Sequence, residues 1–274
     1  MAGAITGSLN NILVAHIEGG EISGTIDELV RHAVSKMSHI HLVANAKAKN
    51  RLIQIGELPE SIFVLGSPDL DLMRPNMLPS LDKVSRHYDV SFNTYAIAMY
   101  HPVTTECHDI QKHAKHFVDA LLLSNDNFIV VYPNNDLGSR EILSEYKRLE
   151  DNKKIKIFPS LKFEYFLTFL KNAKYIVGNS SSGIREAPYY NVPAVDVGSR
   201  QNNRIKSSSI FHTNNDCDSI LKGISLCGQF KPKKSENVSL FGKGNSDKLF
   251  LEILDKGDIW ETNHQKQFQD INHE

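Results

Sequence analysis

Three serines that follow a short apolar run form the most informative candidate site in the sequence. The run 175–177 is typical of a buried strand, and Ser180, Ser181 and Ser182 lie between it and a helix predicted over 184–190. A helix N-terminus offers unpaired N–H groups and a positive dipole end, to which serine hydroxyls add further donors. The segment therefore predicts an anion site, with phosphate as its obvious ligand. A plain helix N-cap is the alternative.

A glycine-rich segment near the amino end carries candidate acid and base groups. Glu18 and Asp27 follow a short predicted strand, and ligands of open parallel sheets bind at the carboxyl ends of strands. Two carboxylates at that position suit proton transfer on a neutral substrate. They can equally be solvated loop residues, and the spacing of Thr25 and Glu28 predicts a capping box. Arg31, one turn beyond Asp27, either forms a surface ion pair or orients the carboxylate or a phosphate.

Two other predicted strands also end in polar residues. His101 follows the strand predicted over 95–100, and Asn134 follows the strand predicted over 128–132. Both would face the crevice that the serines face, which favours a functional role. The alternatives are a structural histidine and an ordinary Asn/Asp turn. Cys107 lacks a paired base, so a role as a nucleophile is not predicted. The histidines lack metal-ligand spacing, so no metal site is predicted either.

The composition bounds the class of protein. The chain has 274 residues, of which 41% are hydrophobic and 23% charged, as in ordinary globular proteins. A formal net charge of -1 gives no general electrostatic argument for binding nucleic acid or a membrane surface. The three cysteines have no metal-type spacing, and we find neither a signal peptide nor a membrane span. We therefore expect a cytoplasmic protein.

Strand-length apolar runs alternate with amphipathic helices, which predicts an α/β protein with parallel sheets. Strands are predicted over 12–17, 39–44, 61–65, 95–100, 128–132, 155–158, 175–178 and 194–197. Helices are predicted over 27–38, 46–55, 110–124, 139–150, 165–172, 184–190 and 246–254. Segment 72–84 contains two prolines and is the predicted linker, and the polar tail 256–274 is expected to be loosely ordered. Three strands are few for an independent first domain.

Six segments in order resemble the hydrolysing UDP-N-acetylglucosamine 2-epimerases of bacterial sialic-acid pathways. They are HIEGGEISGTIDE (16–28), YHPVTTE (100–106), PNNDLGS (133–139), GNSSSGIREAP (178–188), GSRQNNR (198–204) and FGKGNSDKLFLEIL (241–254). The resemblance implies a GT-B-like fold, in which two Rossmann-like domains flank the active site. It implies that residues 1–76 are the C-terminal part of the first domain and 77–245 the second, UDP-binding domain. Residues 246–274 would then be a C-terminal helix and tail that pack back toward the first domain.

The family's reaction supplies roles for the candidate residues. UDP is eliminated across sugar carbons 1 and 2 to give a 2-acetamidoglucal, and water then adds to give N-acetylmannosamine and free UDP. The residues that the resemblance implies to be catalytic are Glu18, Asp27, Arg31 and His101. Those that it implies to bind UDP are Asn134, Ser180, Ser181, Glu186 and Arg200. It also implies a UDP-amino sugar as substrate, no cofactor, no metal and a homo-oligomer.

The chain departs from this family at its start. Full-length relatives begin with a strand and a Gly-Thr-Arg phosphate loop and later carry a His-Gly-Asp-Arg motif, neither of which this sequence contains. Those motifs supply a third catalytic carboxylate and an arginine, and loss of one acid/base group commonly lowers the rate about 100- to 10,000-fold. We therefore expect an incomplete first domain, in a fragment or an internally started gene product. It should bind UDP without substantial turnover.

Other functions remain open. A rival function within the same family acts on UDP-N,N'-diacetylbacillosamine, whose sugar differs from N-acetylglucosamine in its substituent at carbon 4. A non-hydrolysing epimerase would return UDP-N-acetylmannosamine, but HPVTT at 101–105 is not a His-Arg-Arg type motif. A catalytically inactive UDP-binding or assembly module is the main alternative from another class, and a glycosyltransferase of the same fold is a weaker one.

Overall fold

The structure is a computed structural model that describes residues 1–23, 26–202, 207–231, 241–267 and 269–270. It divides into two compact units, Met1–Arg74 with Val238–Glu274 and Pro75–Asn237. Each unit contains its own parallel sheet flanked by helices, so the predicted α/β class is confirmed. Among the described residues, no helix is both long enough and apolar enough to cross a membrane.

The elements are numbered along the chain. The strands are β1 Ala15–Ile17, β2 Ile40–Val43, β3 Ile62–Val64, β4 Ala96–Met99, β5 Phe128–Val131, β6 Ile155–Phe158, β7 Ile176–Gly178, β8 Ala194–Val197 and β9 Ile210–Thr213. The α-helices are α1 Ala2–Leu9, α2 Ile26–Met37, α3 Ala46–Gln54, α4 Asp69–Met73, α5 Leu81–His87, α6 Ile110–Ser124, α7 Ser139–Tyr146, α8 Phe163–Lys171, α9 Glu186–Tyr189, α10 Cys217–Gln229 and α11 Ser246–Lys256.

The first unit is built on three parallel strands in the order β1-β2-β3. The central strand β2 is buried throughout because both faces of the sheet are covered. On one face, Leu52 of α3 packs with Val43 and Ile62. On the other, Leu42 packs with Ile259, and Leu249 of α11 packs against them. The C-terminal helix therefore completes the core of this unit.

The segment after α11 is anchored, which makes our expectation of a loosely ordered tail wrong for its described part. Lys266 Nζ lies 2.5 Å from Glu57 Oε2 and donates to two backbone carbonyl groups at the end of α2, at 3.0 and 2.5 Å. Glu57 is 2% exposed and also bonds Lys36 and His41, at 2.8 and 2.9 Å. Burial by itself would raise the pKa of Glu57, but the hydrogen bonds from His41, Lys266 and Lys36 bring it below its ordinary value. A buried carboxylate requires such partners, so the tail is fixed to the first unit.

The second unit is built on six parallel strands in the order β6-β5-β4-β7-β8-β9. The chain begins this sheet at β4, adds β5 and β6 on one side, and then returns to place β7 on the other side of β4. The carboxyl ends of β4 and β7 therefore form a topological switch point, where open parallel sheets bind their ligands. Helices α6 and α10 pack against the sheet through a core that includes Phe117, Val195 and Ile220.

Several elements differ from the sequence predictions. The segment predicted as a linker, 72–84, contains the start of α5, whose N-cap Ser80 accepts a hydrogen bond from the Lys83 N–H. Both prolines of that segment precede the helix, so neither interrupts it. Elements α1, α4, β9 and α10 were not predicted. The helix predicted over 184–190 is instead a 3₁₀ turn, Ser181–Gly183, followed by the single turn of α9.

Candidate functional site

Two loops at the switch point are joined by a reciprocal pair of hydrogen bonds. His101 follows β4 and Asn179 follows β7; the His101 N–H donates to Asn179 Oδ1 at 2.6 Å, and Asn179 Nδ2 donates to the His101 carbonyl group at 2.8 Å. Gly178 precedes Asn179 with φ +137°, and a Cβ there would lie 1.8 Å from the Met99 carbonyl oxygen. Only glycine lets the two strand ends approach this closely. Gly178 therefore allows the close approach of the two strand ends, and the side chain of Asn179 fixes the spacing of the two loops.

The hydrogen bonds of His101 determine where its proton lies. The Asn134 N–H donates to His101 Nδ1 at 3.0 Å, so Nδ1 is an acceptor and we assign the proton of the neutral ring to Nε2. Burial, and then the nearby charge of Arg200, lower the pKa of His101 to about 4. At neutral pH the side chain is therefore an uncharged N–H donor.

Arg200 lies on a loop that is tied to the same point. Arg200 Nη1 donates to the Asn179 carbonyl group at 3.3 Å, and Gln201 Nε2 donates to the same oxygen at 2.8 Å. Gln201 is 2% exposed. The loop after β8 is thereby joined to the loop after β7, which places a guanidinium group beside His101. A guanidinium group is well suited to bind phosphate oxygens.

The serine segment turns more tightly than the sequence suggested. Ser180 Oγ accepts a hydrogen bond from the Ser182 N–H at 3.3 Å and so closes the 3₁₀ turn that contains Ser181. The α-helix that follows is only four residues long and begins at Glu186, which is 5% exposed. Its dipole is correspondingly small, because dipole strength comes from aligned peptide units. The predicted anion site would therefore depend on serine hydroxyls and Arg200 more than on a helix end.

Asn134 joins this group from the neighbouring strand end. It follows β5, and its Nδ2 donates to Asp136 Oδ2 at 2.5 Å. Among the described residues, no group donates to its buried Oδ1. The carboxyl ends of four adjacent strands, β5, β4, β7 and β8, thus bring together His101, Asn134, Ser180 and Arg200. These predicted site residues belong to the second unit, together with Ser181 and Glu186.

The candidate base Glu18 lies at the carboxyl end of β1 in the first unit. Its backbone has a left-handed conformation, with φ +61°, and its N–H donates to the Leu42 carbonyl group at 2.8 Å. Ser67 Oγ donates to Glu18 Oε1 at 2.5 Å. Ser67 is itself fixed, since it is 1% exposed and its N–H donates to the Phe241 carbonyl group at 2.6 Å. A left-handed non-glycine residue costs about 1–3 kcal/mol and often marks a functional position.

Asp27 and Arg31 lie on α2 of the same unit. Asp27 is exposed in the first turn. Arg31 Nη1 donates to a backbone carbonyl group of the preceding loop at 3.3 Å and lies 3.4 Å from Ser23 Oγ. The predicted capping-box residue Thr25 lies outside the described residues, and Glu28 Oε2 accepts a hydrogen bond from the Ser23 N–H at 2.8 Å. Arg31 thus braces the loop that connects Glu18 to α2.

Sequence reasoning missed three residues that support these groups. Asn179 and Ser67 were not singled out, although each stands next to a glycine directly after a predicted strand. His16 was treated only as a strand end. Its Nδ1 lies 3.0 Å from Ser35 Oγ, and burial, followed by the charges of His41 and Arg31, lowers its pKa to about 4.

Comparisons with known proteins agree with these motifs. The model of the UDP-N-acetylglucosamine 2-epimerase family matches residues 1–255. A UDP-N-acetylglucosamine 2-epimerase of Neisseria meningitidis is 46% identical over 273 residues, which are 99% of this chain and 72% of that protein. A hydrolysing UDP-N,N'-diacetylbacillosamine 2-epimerase of Legionella pneumophila is 39% identical over 258 residues, which are 93% of this chain and 67% of that protein.

Solved structures share the fold at low sequence identity. The UDP-GlcNAc 2-epimerase of Methanocaldococcus jannaschii, in complex with UDP-GlcNAc and UDP, has a TM-score of 0.77 at 22% identity and covers 93% of this chain and 72% of its own. The UDP-GlcNAc 2-epimerase of Neisseria meningitidis bound to UDP-GlcNAc has a TM-score of 0.74 at 16% identity, with coverage of 93% and 73%. The fold is therefore GT-B-like, as predicted. This chain belongs to the UDP-N-acetylglucosamine 2-epimerase family.

Proposed function

We propose that this protein is a hydrolysing 2-epimerase, which converts UDP-N-acetylglucosamine to N-acetylmannosamine and free UDP for sialic-acid-type sugar biosynthesis. The observation that carries the proposal is the arrangement at the switch point of the second sheet. A neutral histidine that donates through Nε2 lies there beside an arginine and a serine turn. Such a group of donors suits a diphosphate that must leave with its negative charge.

Each UDP-binding role follows from the chemistry of the residue. Arg200 and the hydroxyls of Ser180 and Ser181 would hold the diphosphate oxygens. Glu186 would accept hydrogen bonds from ribose hydroxyls. Asn134 offers its buried Oδ1 as an acceptor. The Nε2–H of His101 would stabilise the charge that develops on UDP as its bond to carbon 1 breaks.

The proton transfers are assigned to the first unit. Elimination removes the proton at sugar carbon 2 while UDP departs from carbon 1, and hydration returns a proton to carbon 2 and a hydroxyl to carbon 1. Glu18 and Asp27 are the proposed acid/base groups, and Arg31 braces the loop between them. The hydrogen bond from Ser67 holds the Glu18 carboxyl group in one orientation, as an acid/base group requires.

A second substrate has support from the relatives. Diacetylbacillosamine 2-epimerases of Legionella pneumophila and Campylobacter jejuni are 39% and 35% identical to this chain. The UDP-N-acetylglucosamine enzyme of Neisseria meningitidis is 46% identical, which makes its substrate our first choice. We also propose a homo-oligomer, which sedimentation at two protein concentrations would test.

Product analysis tests the proposal. The protein would be incubated in D₂O with each UDP-sugar, and the mixture would be examined by NMR. The Neisseria meningitidis enzyme that is 46% identical to this chain would be the reference for rate. The products that would support the proposal are free UDP and N-acetylmannosamine carrying deuterium at carbon 2, formed much more slowly than by the reference, since this sequence lacks a carboxylate and an arginine that the family's motifs supply. UDP-N-acetylmannosamine without free UDP would contradict the hydrolysing mechanism. Binding of the UDP-sugar with release of neither UDP nor N-acetylmannosamine, even after prolonged incubation, would favour the inactive UDP-binding module.

A further inference from the structure

A large polar cavity in the second unit is not used by the proposed reaction. It has a volume of about 830 Å³ and lies between the first half of α6, the carboxyl ends of β8 and β9, and α10. None of the residues assigned to UDP or to catalysis lines it. Its size is that of a pocket for a nucleotide or a sugar phosphate, since small-molecule sites commonly enclose about 300–1,000 Å³.

The carboxylates in the wall of this cavity are already engaged. Glu106 accepts a hydrogen bond from Ser199 Oγ and lies 3.8 Å from His113 Nδ1. Asp216 caps α10, because its two oxygens accept from the N–H and the Oγ of Ser219 at 2.8 and 2.7 Å. These contacts direct the carboxylate oxygens to partners in the wall, although both groups keep their charge.

The lysines in the wall are not engaged in the same way. Lys112 on α6 and Lys222 on α10 are exposed. In the part of the chain that the structure describes, neither has a carboxylate within the 4.0 Å of an ion pair. By contrast Lys115, on the same helix as Lys112, lies 2.7 Å from Asp119. Two unpaired ammonium groups on facing helices would attract an anion.

Imidazole and amide groups add hydrogen-bonding capacity for a polar ligand. His116 Nδ1 donates to the Asn215 carbonyl group at 3.1 Å, and His212 Nδ1 donates to the buried Asp196 at 2.8 Å. These bonds fix the proton on Nδ1 and leave Nε2 of each neutral ring as an acceptor. Asn202 and Asn214 also line the cavity. Acceptors and amides of this kind suit sugar hydroxyls.

We propose that this cavity is a second binding site, specific for a hexose phosphate. Lys112 and Lys222 would hold the phosphate group, and the imidazole and amide groups would bind the sugar hydroxyls. The cavity shares no lining residue with those assigned to UDP, although Ser199 and Asn202 lie on the same loop as Arg200, so the proposal does not depend on UDP binding.

The test uses glucose 6-phosphate as the probe, with glucose and inorganic phosphate as controls. Each would be titrated into the ¹⁵N-labelled full chain in the presence of saturating UDP, and amide shifts followed by NMR. We expect glucose 6-phosphate to shift amides near Asn214 and Ser219 and to bind at least tenfold more tightly than either control. Lys112→Met/Lys222→Met should weaken its binding at least tenfold, whereas Lys147→Met/Lys171→Met, which removes two exposed lysines elsewhere in the unit, should not.

Two results would overturn the proposal. One is the absence of shifts at the cavity in saturating UDP, with the probe binding only when UDP is left out, which would place the ligand at the switch point. The other is equal affinity for inorganic phosphate and glucose 6-phosphate, which would mean that the sugar is not recognised. Because the lysine variants change exposed residues, they should fold, and the parent spectrum provides the check.

Discussion

Replacing Asn179 by alanine is expected to loosen two loops at the centre of the second sheet. The change removes both hydrogen bonds between this side chain and the backbone of His101. Asn179 is 1% exposed, so water has poor access to the groups left behind. A hydrogen bond contributes about 0.5–1.5 kcal/mol, and an unsatisfied buried group costs about 1–3 kcal/mol. We therefore expect the free energy of unfolding to fall by about 2–4 kcal/mol.

Urea unfolding followed by circular dichroism measures this loss. Asn127→Ala is the matched control, because Asn127 Nδ2 makes an exposed hydrogen bond to the Thr94 carbonyl group. The control should lose less than about 1 kcal/mol. UDP affinity should also fall about tenfold in Asn179→Ala, corresponding to about 1.4 kcal/mol, since His101 and Ser180 flank the lost side chain. Equal stability of the variant and the control would refute the reasoning.

Other predictions concern both units. Ser67→Ala should lower the free energy of unfolding by about 1–3 kcal/mol, because the Glu18 carboxylate loses the hydrogen bond from a buried hydroxyl; Ser67→Thr keeps the hydroxyl and should lose less, and equal stability of Ser67→Ala and the parent in urea would contradict the assigned bond. The pKa of His101 is about 4 in the folded protein against 6.5 for the free side chain. Between pH 4 and pH 6.5 the unfolded state therefore binds more protons than the folded state. The free energy of unfolding should fall by up to about 3 kcal/mol as the pH drops through this range. The partly exposed His16 adds a smaller loss in the same direction, and a flat urea-stability profile over that range would exclude both. Lys266→Met should lower the free energy of unfolding by about 1–3 kcal/mol, measured by urea unfolding; no loss would show that the tail is not anchored.

The strand ends of the second unit could be predicted from the sequence for a physical reason. Buried parallel strands are continuous apolar runs, and the predicted strands 95–100, 128–132 and 175–178 fall within one residue of the strands found. Polar residues directly after such runs must meet at one edge of the sheet. His101 and Asn134 were placed together by this rule, and the hydrogen bond between them agrees with it.

The missed features depend on contacts or on weak local patterns. Helix α1 contains two glycines and was not predicted, but it is held by a hydrogen bond from Ser8 to the Met37 carbonyl group. Helix α10 also contains glycines, which lower helix propensity. The anchoring of Lys266 by Glu57 joins residues far apart in sequence. Local periodicity carries no information about such pairs.

The most direct measurement is calorimetric titration of the chain with UDP, comparing the parent with Arg200→Ala and with the surface control Arg148→Ala. Arg148 pairs with Asp119 and Glu145 on the exterior of the second unit. We predict a single UDP site in the parent, at least tenfold weaker binding in Arg200→Ala, and unchanged binding in Arg148→Ala. Equal UDP affinity in all three proteins would contradict the assignment of the diphosphate to the switch point.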